Sequence, residues 1–119
     1  MNTNTKTDIL DSEKTLHVLK ELESNPKITQ RDLAQKLEIS LGKINYLINA
    51  LIDKGIIKAK NFKNSKNKLS YVYLLTAEGI KTKISLTRKF FDWKLQEYER
   101  LKKEIEELKK ENNLAKKIL

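Results

Sequence analysis

The chain has 119 residues, with 25 lysines and arginines against 16 aspartates and glutamates and a formal net charge of +9. That length buries one modest core plus an appendage rather than two full domains, and the basic balance points to a polyanionic partner. The absence of cysteine excludes disulfides and thiol catalysis, while the lack of any apolar run near the ~20 residues of a membrane helix, and of an apolar stretch in the opening "MNTNTKTD", leads to the expectation of a soluble, cytoplasmic protein without membrane partners.

Residues 1–7 are rich in Asn and Thr, carry no apolar anchor, and read as a disordered tail. A first helix is expected from about Asp11 to Glu23, with Leu16, Leu19 and Leu22 inward and Asn25-Pro26 stopping it. Thr29 stands three residues before Asp32, so its hydroxyl can cap a second helix, "QRDLAQKL". After the short break "EIS", in which Ile39 can plug the core, Ser40 caps a third helix that Gly55 ends. Apolar Leu41, Ile44, Leu47, Ile48, Leu51 and Ile52 recur at steps of three and four and mark its inner face. Its other face carries Gly42, Lys43, Asn45, Tyr46 and Asn49, with no carboxylate before Asp53.

"IIKAKNFK" and "LSYVYLLT", separated by the polar "NSKN", form a hairpin. Six lysines (54, 58, 60, 63, 66 and 68) and no acid lie between Lys54 and Ala77, so the positive excess is local. Thr76 then caps a long helical pattern with Gly79 as its weak point and a candidate bend at Ser85 to Thr87, where β-branched content is highest.

Helix, helix, short turn, helix and basic hairpin are the layout of a winged helix-turn-helix, in which the second helix of the pair enters the major groove and the hairpin reaches the backbone. The fold expected is mainly α with a small β-hairpin: residues 8–79 form the DNA-binding domain and residues 80–119 a C-terminal dimerisation helix. "ITQRDLAQKLEISLGKINYLINALIDKGIIKAKNF" followed by "YVYLLTAEG" resembles the MarR family, and most closely its exopolysaccharide-associated transcriptional regulators. The resemblance covers roughly Leu16 to Leu108 and includes an "LTxxG" shape in Leu75, Thr76 and Gly79. It implies a bacterial DNA-binding regulator, often a repressor, acting near genes for extracellular polysaccharide. One departure is Glu38, in the tight turn where many such sequences have Gly; a positive φ there costs about 1 kcal/mol.

With double-stranded DNA as the partner, each candidate residue has a task. Asn45 and Asn49 can offer an amide edge to adenine, and Lys43 can donate to guanine or phosphate. Ser40 and Gly42 form the helix start, where Gly42 permits close approach, and Tyr46 can meet a phosphate or a thymine methyl. Gln30 and Arg31, opening the second helix, suit phosphate contacts. Lys60, Lys63, Asn64, Lys66 and Lys68 of the wing supply sequence-independent attraction, although lysines at a hairpin tip also guard against edge pairing. His17, the lone histidine, is assigned no role.

The resemblance also raises an effector pocket at Phe90, Phe91 and Trp93, for which core or dimer packing is the simpler reading. From Tyr98 the helix follows heptads. Tyr98, Ile105, Asn112 and Leu119 fall at a and Leu101, Leu108 and Ala115 at d, with Phe91 one heptad before Tyr98, making a homodimer seam. Glu97, Glu104 and Glu111 fall at g and Lys102, Lys109 and Lys116 at e, so a parallel pair sets opposite charges together and an antiparallel pair like charges. A rival function is a protein-interaction adaptor, which has little use for six lysines without a compensating acid. No nucleophile with a nearby base, glycine-rich phosphate loop or metal cluster suggests an enzyme or a cofactor.

Overall fold

The computed structural model describes residues 9, 12–63 and 65–119; the tail expected at residues 1–7, and Asn64, lie outside the described residues. Three helices, α1 (Glu13–Ser24), α2 (Gln30–Leu37) and α3 (Leu41–Asp53), precede strands β1 (Ile57–Lys63) and β2 (Leu69–Leu75) and helix α4 (Ala77–Ile118). The chain divides into two units between Thr87 and Arg88. That division lies within α4, beyond the boundary drawn at residue 79, because Leu86 is still buried and Lys83 Nζ donates to the Glu23 carboxylate of α1.

In the first unit the helix starts follow their capping residues. The hydroxyls of Ser12, Thr29 and Ser40 accept from the backbone N–H groups of Lys14, Asp32 and Lys43 at 3.0–3.1 Å, covering donors the helices cannot satisfy themselves. The ends of α2 and α3 close in the same way. Ile39 N–H donates to Ala34 O and Glu38 N–H to Gln35 O, while Ile56 N–H donates to Leu51 O and Gly55 N–H to Ile52 O. This double closure needs a left-handed residue after the helix, supplied by Gly55 (φ 73°) and by Glu38 (φ 55°), so the strain expected at Glu38 is present.

Val18, Leu19, Leu22, Leu33, Ile44, Leu47, Ile48, Leu51 and Ile57 are at most 1% exposed and form the core of the lobe. Leu41 departs from the expected inner face at 41% exposed. It occupies the first helical position, where a side chain leans back toward the open N-terminal end rather than over the core.

Strands β1 and β2 pair antiparallel with Ile57 opposite Leu75 and Lys63 opposite Leu69. At the base of this wing the Thr76 hydroxyl donates to the Gly55 carbonyl at 2.5 Å and accepts from Gly79 N–H at 3.0 Å. A Cβ built on Gly79 would overlap the Ile56 carbonyl oxygen. The "LTxxG" shape is therefore a staple: a hydroxyl joins the α3–β1 corner to α4, and a glycine lets the two backbones touch.

Helix α4 is continuous through Ser85 to Thr87. The Thr82 and Thr87 hydroxyls donate to the Glu78 and Lys83 carbonyls one turn back at 2.9 and 2.8 Å, which absorbs their polarity without interrupting the helix. In the second unit Phe90 and Trp93 meet edge to face at 5.2 Å, and every residue from Phe91 to Leu119 is exposed.

Candidate nucleic-acid interface

On α3 the residues expected to face a partner do face solvent: Ser40, Gly42, Lys43, Asn45, Tyr46 and Asn49 are all exposed while Ile44, Leu47, Ile48 and Leu51 anchor the opposite side. The exposed face carries no carboxylate before Asp53. Lys43 Nζ lies 5.2 Å from the centroid of the Tyr46 ring, so the ring attracts the cation along the solvent-facing side of the helix. Around Gly42 nothing lies within 4 Å of a built Cβ, so no contact inside this lobe requires glycine there.

Arg31 is exposed near the start of α2, as a phosphate contact would need. Gln30 has a different setting: it is half-buried, its Oε1 accepts from Asn45 Nδ2 at 3.2 Å, and its Nε2 donates to the Tyr73 hydroxyl at 3.0 Å. Asn49 Nδ2 in turn donates to Asn45 Oδ1 at 3.2 Å. Three of the candidate residues are thus one hydrogen-bonded array rather than separate contacts.

The wing lysines Lys58, Lys60, Lys63, Lys66 and Lys68 are exposed. Strand alternation separates them: Lys58 and Lys60 share one face of β1, and Lys63 lies on the other at the tip. Asn67 turns the hairpin at φ 61°, a conformation asparagine tolerates. Lys27, which charge counting over the wing does not include, lies in the connection between α1 and α2 with its Nζ 4.9 Å from the Phe62 ring centroid, and adds a cation beside β1. Leu41 and Tyr71 (52% exposed) also reach the surface. A strand reading marks Tyr71 only as an alternating residue, and nothing in the local pattern marks Tyr73 as the end of the amide array.

Along the second unit, Phe91, Tyr98, Leu101, Ile105 and Leu108 are 53–68% exposed, and Asn112, Ala115 and Leu119 are exposed as well. The flanking charges find partners within the helix, Lys94 with Glu97 at 3.9 Å and Arg100 with Glu104 at 3.3 Å. Among the described residues no group of three His, Asp or Glu side chains could hold a metal ion, and no helix is long and apolar enough to cross a membrane.

Residues 11–58 match the family of winged helix-turn-helix DNA-binding domains. No curated protein matches the chain. Among solved structures it resembles the adhesin competence repressor AdcR from Streptococcus pyogenes, 25% identical over 76% of this chain and 64% of that one, with a TM-score of 0.57. It also resembles MepR of S. aureus in a complex with DNA, 22% identical over 71% of this chain and 60% of that one, TM-score 0.57. A third is a MarR family transcription regulator, 19% identical over 78% of this chain and 60% of that one, TM-score 0.57. The chain spans 60–64% of the length of these neighbours. What the likenesses establish is the fold, a winged helix-turn-helix with a long C-terminal helix as in MarR-type proteins.

Proposed function

We propose that the chain is a MarR-type transcriptional regulator that reads double-stranded DNA as a homodimer. The observation that carries this reading is the exposed face of α3, with two carboxamides, a cation and a phenol and no acid before Asp53, in a lobe whose wing is rich in lysine. Asn45 and Asn49 read bases, Lys43 and Tyr46 contact base edges or phosphate, and Ser40 with Gly42 brings the helix start to the backbone. Arg31 and the wing lysines attract the backbone without regard to sequence. The matched family is described as DNA-binding, and one structural neighbour is bound to DNA. One neighbour is a repressor by name, which supports repression as the sense of regulation. The association with exopolysaccharide genes rests on the resemblance of the stretch from Ile28 to Phe62.

The exposed heptads of α4 support the dimer. In a parallel, in-register pair Glu97 meets Lys102, Glu104 meets Lys109 and Glu111 meets Lys116 of the second copy, and the two Asn112 side chains satisfy each other in the seam. Each exposed ion pair contributes only about 0.5 kcal/mol, so orientation depends on their acting together.

Selection of bound duplexes from random DNA tests the whole reading. The expected result is enrichment of a site with two related halves; absence of enrichment contradicts DNA reading and favours the adaptor.

A further inference from the structure

The carboxamides of α3 belong to a relay that crosses three elements. Asn49 donates to Asn45, Asn45 to Gln30 at the start of α2, and Gln30 to the hydroxyl of Tyr73 on β2. Tyr73 is a firm terminus: the residue is 4% exposed, and its backbone N–H donates to the Pro26 carbonyl at 2.9 Å. The relay therefore begins at a fixed, buried phenol and ends on exposed amides of the recognition helix.

We propose that Gln30 and Tyr73 are positioning residues for base recognition, holding the Asn45 and Asn49 carboxamides in the orientation they present to a duplex. The proposal rests on the DNA-reading function above and adds specificity residues that need not touch DNA themselves. An asparagine amide on an open helix face has a broad, nearly two-fold torsion, so its oxygen and nitrogen edges exchange. Adenine distinguishes those edges, accepting at N7 and donating from N6. Each carboxamide has two N–H groups and two oxygen lone pairs. The relay uses one N–H of Asn49, and one N–H and one lone pair of Asn45, so both keep a donor and an acceptor for a base. Because the amides stand in series, the orientation of Gln30 sets that of Asn45 and then of Asn49, and the ordering that recognition requires is already present before binding. In this proposal Gln30, expected from the sequence as a phosphate contact, has both of its polar atoms engaged in the relay and serves to orient Asn45.

Tyr73→Phe removes one oxygen from a buried ring and keeps its packing. In the free protein, the side-chain amide signals of Asn45 and Asn49 in a proton–nitrogen correlation spectrum should shift in Tyr73→Phe, although neither residue touches the tyrosine. On DNA, affinity for the selected duplex should fall roughly three- to tenfold, the range of one lost hydrogen bond, with random duplex bound within about twofold of wild type at the same salt. Adding Tyr73→Phe to Gln30→Met should cause no further loss of preference, because the relay is already cut. Unmoved amide signals, or equal losses on selected and random duplexes, overturn the positioning role. Wild-type protein that prefers no sequence although its amide signals do respond to Tyr73→Phe removes the DNA-reading function, and with it the specificity role of the relay.

Discussion

Helix α3 and the second half of α4 carry apolar residues at nearly the same spacing and put them to opposite use. Ile44, Leu47, Ile48 and Leu51 are at most 1% exposed, whereas Tyr98, Leu101, Ile105 and Leu108 are 53–68% exposed. The spacing forms a stripe; a facing surface has to bury it. For α3 that surface is the rest of the lobe, so the lobe specifies its own fold and leaves its polar face free. For α4 from Phe91 onward every residue stays exposed within its own unit, and in the proposed dimer a second copy covers its pattern of heptads and charges.

The contrast is broken most completely by capturing that copy. Ala115→Cys under mild oxidation should give rapid and nearly complete crosslinking between the two residues at 115. A protein shown to be dimeric that fails to crosslink is not paired in parallel register.

The next effect concerns the self-sufficient lobe. Gly79→Ala should destabilise it by about 1–3 kcal/mol in denaturant unfolding, because the added methyl drives into the Ile56 carbonyl and outweighs the better helix propensity of alanine. Unchanged stability would show that α4 does not need this close approach to the wing base.

A second glycine supplies the smaller, opposite effect. Gly42→Ala has open space for its methyl and should leave the fold unchanged or up to about 1 kcal/mol more stable, while weakening DNA binding. The same substitution in one chain thus separates a glycine needed inside the molecule from one needed outside it; undiminished DNA binding would remove Gly42 from the interface.

Much of the lobe is legible in the sequence because its signals are local. Thr29 and Ser40 cap where a hydroxyl precedes a helical pattern, Gln30–Leu37 has the expected bounds, and Gly55 is left-handed where a helix must stop. What escaped depends on contacts distant in sequence or on position within a turn. Leu41 fits the apolar spacing yet lies at the exposed helix start, and Gln30 and Tyr73 are 43 residues apart, joined by a hydrogen bond no periodicity announces. The β-branched residues around Ser85 to Thr87 favour a bend by propensity, yet the Thr87 hydroxyl bonds to the preceding turn and the helix stays continuous. The exposed face of α3 was legible as a face; its wiring was not.

The central claim, that this face reads base sequence, is tested most directly by measuring the affinities of wild type, Asn45→Ala and Asn49→Ala for the selected duplex and for a scrambled duplex at one salt concentration. Loss of an asparagine should cost about 1–3 kcal/mol on the selected duplex and much less on the scrambled one. Equal affinities for both duplexes in wild type, or base preference unchanged in both variants, would contradict the assignment of α3 as the reading helix.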